Sequence, residues 1–161
     1  MFVDEMRYGL MSNIRRSWSK KGERTVYQNQ QEFANRYLYT AIDPINGESF
    51  HLMNFDDAST AQTNLFLSAL QVKFPDDHLV LVWDRAPFHR SQSLKRKHMT
   101  LISLPSYSPQ LNPVERYFGE MRKFTANQIF RDGMEALSKI VEQAILSLSR
   151  NLEAIKTLTG Y

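Results

Sequence analysis

Three acidic side chains stand where a folded chain could assemble chemistry. Asp4 lies inside the first run of β-formers, Asp84 ends the apolar run Leu79–Trp83, and Glu115 falls in the first turn of a helix opened by Asn112-Pro113. In open sheets, sites gather at the carboxyl ends of central strands. Carboxylates converging there repel one another unless a cation neutralises them, so a cluster of three implies a hard metal ion. Mg2+ fits best, because it takes oxygen ligands, keeps waters and leaves positions open for substrate phosphates. Two such ions, about 3.5–4 Å apart, could activate an attacking oxygen and stabilise the leaving one. Each residue also has a structural reading. Glu115 is three positions past Asn112, where a capping-box carboxylate sits. Asp84 could start a turn, and Asp4, beside Glu5, could be exposed strand charge.

The elements that must position these groups follow from the patterning. Phe2 to Leu10 reads as a strand, and the polar, basic stretch Met11 to Gln31 as a hairpin or extended excursion. Arg36 to Asp43 and Glu48 to Asn54 read as a hairpin around the Pro44–Gly47 turn. Asp56 or Asp57 can cap a helix from near Ala58, with Ala61, Leu65, Ala69 and Val72 at helical spacing and Pro75 as the stop. Leu79 to Trp83 is a continuous apolar run, which predicts a strand buried on both faces. One or two helical turns are expected in Arg90 to His98, then a strand over Met99 to Leu104. Asn112 and Pro113 look like an N-cap followed by proline at the first helical position. The helix they open has an apolar face of Val114, Tyr117, Phe118, Met121 and Phe124 or Thr125. A helix from about Met134 turns Leu137, Ile140, Val141, Ala144, Ile145 and Leu148 inward, and another helical segment fits Leu152 to Leu158. Antiparallel strands followed by a strand–helix–strand part predict one mixed sheet with helices on its faces, an α/β fold.

Composition narrows the function classes. The 161 residues suit a single domain, 1–161, and 42% hydrophobic with 23% charged residues is an ordinary globular balance. With no cysteine, thiol catalysis and Cys-ligated zinc are excluded. No apolar run approaches the roughly 18 residues of a membrane span, and no signal-peptide pattern opens the chain, so a cytoplasmic setting is expected. The net charge of +3 hides an asymmetry: residues 1–84 carry 8 Lys/Arg against 11 Asp/Glu, residues 85–161 carry 12 against 6. Arg7, Arg15, Arg16, Lys20, Lys21 and Arg24 form a local basic stretch within the acidic part. Such clusters point to a polyanion, nucleic acid first.

Further candidates surround the carboxylates. His89 could orient a water or phosphate near Asp84, or simply support it. Arg85, Arg90, Lys95, Arg96 and Lys97 could grip phosphates or form a solvated helix face. Arg116, Arg122 and Lys123 lie on the polar side of the glutamate helix and are slightly better candidates for the same contact. Trp18, among basic residues, could stack on a base or anchor a hairpin.

The joint pattern is recognisable. Leu81-Val82-Trp83-Asp84-Arg85-Ala86-Pro87-Phe88-His89-Arg90-Ser91, followed by Leu104-Pro105-Ser106-Tyr107-Ser108-Pro109-Gln110-Leu111-Asn112-Pro113-Val114-Glu115-Arg116, resembles the catalytic domain of insertion-sequence 630 family transposases, within the Tc1/mariner DDE group. The pair Asp4-Glu5 matches the family's first aspartate, and the run with Arg16, Trp18 and Gly22 is similar to the segment that follows it. The resemblance covers nearly the whole chain. It implies a ribonuclease-H-like fold, with Asp4, Asp84 and Glu115 as metal-binding carboxylates and Asn112 and Pro113 placing the glutamate. It further implies DNA cleavage at transposon ends with Mg2+, or Mn2+ in its place, and transfer of the freed 3′-hydroxyl to target DNA. A homodimer, association with the nucleoid and a separately encoded helix-turn-helix partner are expected on the same basis. Two features depart from the pattern: Arg85 stands where the family usually has Asn, and only Met1, Phe2 and Val3 precede Asp4. A catalytically silent DNA-binding or interaction protein and a ribonuclease-H-like nuclease are the competing expectations. The long Tyr107–Glu115 motif argues against the nuclease.

Overall fold

Period-two alternation decides where each acid of the opening strand points. β1 (Phe2–Gly9) sends Val3 to one side of the sheet and Met6 and Tyr8 to the other, so Asp4 shares a face with Met6, and Glu5 shares one with Val3. The computed structural model describes residues 1–94 and 97–160. In it β1 pairs antiparallel with β2 (Asn35–Ile42), which pairs antiparallel with β3 (Ser49–Phe55). On its other side β1 runs parallel to β4 (Leu79–Trp83), and β4 parallel to β5 (Met99–Ser103), giving the order β3-β2-β1-β4-β5. The β2–β3 turn needs Gly47: its φ is +74°, and a Cβ there would overlap the Leu152 carbonyl.

Two cores sandwich the sheet. α1 (Thr60–Lys73) covers one face, burying Phe66, Leu67 and Leu70 against Val3, Tyr39, Leu81 and Trp83. Each such fully buried aliphatic side chain contributes about 1.5–3 kcal/mol. α2 (Val114–Thr125), α3 (Gly133–Ser149) and α4 (Leu152–Thr159) cover the other face, where Val114, Tyr117, Phe118 and Met121 meet Met6, Tyr8, Leu38, Val141 and Ile155. This is the ribonuclease-H-like arrangement of a mixed sheet flanked by helices.

Four local expectations change. Ser59, rather than Asp56 or Asp57, caps α1, its Oγ accepting from the Gln62 N–H at 3.4 Å. The buried stripe of α1 is Thr63, Phe66, Leu67 and Leu70, while Leu65 and Val72 are exposed, because the sheet beneath the helix covers the arc that carries Phe66, Leu67 and Leu70. β4 is buried on one face only: Val80 is 44% exposed because α2 and α3 pack on β1, β2 and β3. The short helix comes earlier than expected, as a 3-10 turn at Pro87–Arg90.

Candidate active site

Strand register brings the first two carboxylates together. Phe2 pairs with Val82, and continuing that parallel register by two residues sets Asp4 level with Asp84, just beyond the end of β4. The third arrives through Asn112, which is 3% exposed. Its Nδ2 donates to the Val3 carbonyl at 3.0 Å and to Asp4 Oδ2 at 3.1 Å, while its Oδ1 accepts from the Val114 N–H at 3.2 Å. One buried amide thus ties the start of α2 to β1. The helix begins one residue later than expected, at Val114, preceded by Pro113, and Glu115 occupies its first turn. Glu115 makes no capping box: the Asn112 N–H goes to the Pro109 carbonyl, and Arg122 Nη1 lies 3.7 Å from the Glu115 carboxylate.

Asp4, Asp84 and Glu115 line one open cavity of about 510 Å3. Burial, then the neighbouring charges of Glu5, Glu115 and Asp84, push the Asp4 carboxyl up to about 7, against the pull of the Glu5 N–H on its Oδ1. Asp84 moves the other way. A hydrogen bond from His89 is the main reason its carboxyl is held below the usual range, and the Ala86 N–H helps.

His89 sits in a slot. Its ring stacks on Trp83 at 4.1 Å and 8°, with the Phe88 ring at 4.5 Å, edge-on. Nδ1 is 2.8 Å from Asp84 Oδ1 and Nε2 is 3.0 Å from Glu5 Oε1. Burial alone would lower its pKa, but the hydrogen bonds to Asp84 and Glu5 outweigh it and raise the imidazole to about 9. The ring is therefore an imidazolium near neutrality, donating from both nitrogens. Glu5 was not singled out as a site residue in the sequence. Its one signal is its place beside Asp4, which alternation sends to the opposite face.

The expected cations divide. Arg85 and Arg90 line the cavity with the carboxylates. Lys97 is exposed and outside the lining, and Lys95 and Arg96 lie outside the described residues. Arg116 Nη1 donates to the Gly160 carbonyl at 2.7 Å, Arg122 faces Glu115, and Lys123 pairs with Glu120 at 2.6 Å. A second missed residue is Tyr107. It lines the same cavity, its side chain is fully exposed, and its φ is +56°, left-handed backbone that a bulky residue rarely adopts. Trp18 is likewise fully exposed, on the excursion between β1 and β2. That excursion is anchored where Asn13 Nδ2 meets the Arg122 carbonyl at 3.2 Å and the Arg15 N–H meets Asn127 Oδ1 at 2.8 Å.

The donor chemistry suits a hard divalent cation. All three carboxylates offer oxygen, Asp4 is destabilised as a lone anion, and no hydrogen bond among the described residues reaches Asp84 Oδ2. Among the described residues no group of three or more His, Asp or Glu encloses a metal position. Sites that bind through one or two carboxylates plus water and phosphate oxygens are the usual Mg2+ arrangement.

Comparison with known proteins adds family and fold. A family described as DDE superfamily endonuclease matches residues 1–137. An uncharacterized protein, y4pE/y4sA of Sinorhizobium fredii (strain NBRC 101917 / NGR234), is 36% identical over 101 residues, covering 60% of this chain and 73% of that protein. Among solved structures, the Mos1 transposase paired-end complex with left transposon end superposes with a TM-score of 0.63 at 18% identity, over 99% of this chain and 55% of that one. The Mos1 mariner paired-end complex with Mn gives 0.64 at 18% identity, over 99% and 55%. The catalytic domain of Mos1 mariner transposase gives 0.57 at 15% identity, over 99% and 82%. The chain thus spans about half the length of the transposase chains in the two complexes, 55% of each.

Proposed function

The chain belongs to the DDE superfamily endonuclease family, and from that premise we propose that it is the catalytic part of a DNA transposase that cleaves transposon ends and joins them to target DNA. The observation that carries the reading is the convergence of Asp4, Asp84 and Glu115, from β1, the end of β4 and the start of α2, on one cavity that also presents Arg85 and Arg90. Asp4, Asp84 and Glu115, one or two to an ion with water and phosphate oxygens completing the shell, would hold Mg2+, or Mn2+ in its place, as two ions. When bound, the ions supply charge neutralisation at the scissile phosphate and lower the pKa of an attacking oxygen.

The chain's own residues do the rest. Arg85 and Arg90 place cationic donors on the wall where phosphodiester oxygens would lie. Tyr107 offers an uncovered ring at the same cavity, on which a nucleobase can stack. Asn112 and Pro113 keep Glu115 at the head of α2 beside Asp4. In the first reaction water attacks an end phosphodiester and the departing oxygen becomes a free 3′-hydroxyl. In the second that hydroxyl attacks a target phosphodiester, forming one phosphorus–oxygen bond as another breaks, so no energy-rich cofactor is consumed. Cutting and pasting two ends calls for two catalytic chains, hence a homodimer, with end recognition from a helix-turn-helix region. Among the described residues no helix is long and apolar enough to cross a membrane, and a chain that works on DNA belongs with the nucleoid in the cytoplasm.

The test is strand transfer. The chain is incubated with a pre-cleaved oligonucleotide ending in a 3′-hydroxyl, supercoiled plasmid and Mg2+ or Mn2+. Joined products from wild type, absent with Asp84→Ala and Glu115→Gln of unchanged melting temperature, are expected. Cleavage without joining would favour a nuclease, and equal activity of wild type and Asp84→Ala would sink the assignment.

A further inference from the structure

We infer that Glu5 and His89 act as a positioning pair that fixes the Asp84 carboxylate, an inference that rests on the function proposed above. Asp84 lies one residue beyond β4, where neither strand pairing nor a helix restrains its side chain. Two hydrogen bonds do so instead, and both fall on Oδ1: the Ala86 N–H and His89 Nδ1, each at 2.8 Å. No hydrogen bond among the described residues reaches Oδ2. One oxygen is used for aim, and the other is left to a ligand.

His89 can aim a neighbour only if it is itself fixed. Its side chain is 0% exposed, stacked on Trp83 and held at Nε2 by Glu5 Oε1 at 3.0 Å. Glu5 is nearly as enclosed, at 8%, on the sheet face opposite Asp4. Neither residue lines the cavity. The chain of contacts therefore runs from β1, through the imidazole, to the end of β4, and its outlet toward solvent is Asp84, whose side chain is 57% exposed. Stability alone is a weak reason for this arrangement. A buried ion pair is commonly matched or bettered by apolar side chains of similar volume, and Val3, Trp83 and Leu81 already supply an apolar core on that face. Supporting partners of a carboxylate ligand typically change metal affinity or activity by about 10–100-fold when removed.

A Mn2+ titration, read by the free-ion electron paramagnetic resonance signal on the full chain, tests this alongside the strand-transfer assay and a thermal melt. Glu5→Ala and His89→Ala should weaken Mn2+ binding by about 10–100-fold and lower the joining rate while leaving the KM for DNA in place. Glu5→Gln keeps an oxygen facing Nε2 and should recover most of the affinity. In an Asp84→Ala background Glu5→Ala should cost no further affinity, since its effect passes through Asp84. If Glu5→Ala unfolds the chain, Glu5→Gln and the same comparison made with His89→Asn carry the test. Wild-type Mn2+ affinity in Glu5→Ala, or losses that simply add in the double variant, would overturn the pair while leaving the proposed function standing. Mn2+ binding indifferent to Asp84→Ala would overturn both.

Discussion

The Asn112 amide nitrogen lies 3.1 Å from one oxygen of Asp4, a residue 108 positions away in the chain, and 3.0 Å from the Val3 carbonyl. Asn112→Ala would leave the buried Val3 carbonyl and Val114 N–H without this partner and take one donor from the half-buried Asp4 carboxylate. A buried polar group left without its partner costs about 1–3 kcal/mol. Urea unfolding should show a loss of at least that size. Strand transfer should fall further than stability does, because Glu115 loses the tie that sets it beside Asp4. A variant that is destabilised but fully active at low temperature would show that the tie is only structural.

Tyr107 combines a left-handed backbone with an uncovered ring. A left-handed conformation costs a non-glycine residue roughly 1–2 kcal/mol, so Tyr107→Gly should fold at least as stably as wild type. It should nevertheless bind an oligonucleotide about 1–3 kcal/mol more weakly, and Tyr107→Phe should bind normally. Fluorescence anisotropy with end-labelled DNA measures both. Unchanged affinity in Tyr107→Gly would remove the ring from the DNA surface.

Arg85 and Arg90 should each contribute one phosphate contact. Replacing either with Ala should reduce the slope of log affinity against log salt by about 1. Lys123→Ala should leave the slope nearly unchanged, because its ammonium is already paired with Glu120. Binding isotherms at several salt concentrations read these slopes directly, and equal effects of all three would mean that the cavity wall holds no privileged phosphate position.

His51 supplies a pH dependence remote from the carboxylates. Its ring stacks on Tyr117 at 5.2 Å, with Nδ1 3.0 Å from Thr40 Oγ1 and Nε2 3.2 Å from Ser149 Oγ. Burial lowers its pKa from 6.5 to about 4. Between those values the unfolded chain binds a proton that the folded chain does not, so stability is full above about pH 6.5 and falls as pH drops toward 4. The shift corresponds to about 3 kcal/mol at its limit. Urea midpoints at pH 7 and pH 4.5 should separate less in His51→Asn than in wild type. An identical separation would mean that other groups carry the acid sensitivity.

Much of this was legible in the residues. The hairpin follows from β-formers on either side of the Pro44–Gly47 turn, β4 from its apolar run, and the amphipathic helices from period-3.6 patterning. Asp84 was conspicuous because an apolar run ended on it, and Glu115 because Asn112 and Pro113 announce a helix start. The α1 face was misread because Ala61, Leu65, Ala69 and Val72 keep helical spacing as well as Phe66 and Leu70 do, and only the sheet beneath selects between them. Glu5 and Tyr107 escaped for other reasons. The partner of Glu5 is 84 residues away, and the exposure of Tyr107 is a property of a loop backbone with no periodicity to reveal it.

The dipeptide Asp4-Glu5 has a consequence that charge counting misses. Because the pleat sends the two side chains to opposite faces, two neighbouring acids with the same charge belong to different environments, one half-buried on the cavity wall and one enclosed against His89. Reach distinguishes them, since Glu extends one methylene further than Asp. Exchanging their order would preserve mass, charge and strand propensity, yet it would crowd the longer arm against Asn112 and leave the shorter one short of the imidazole. In this strand the order of two like residues carries the information.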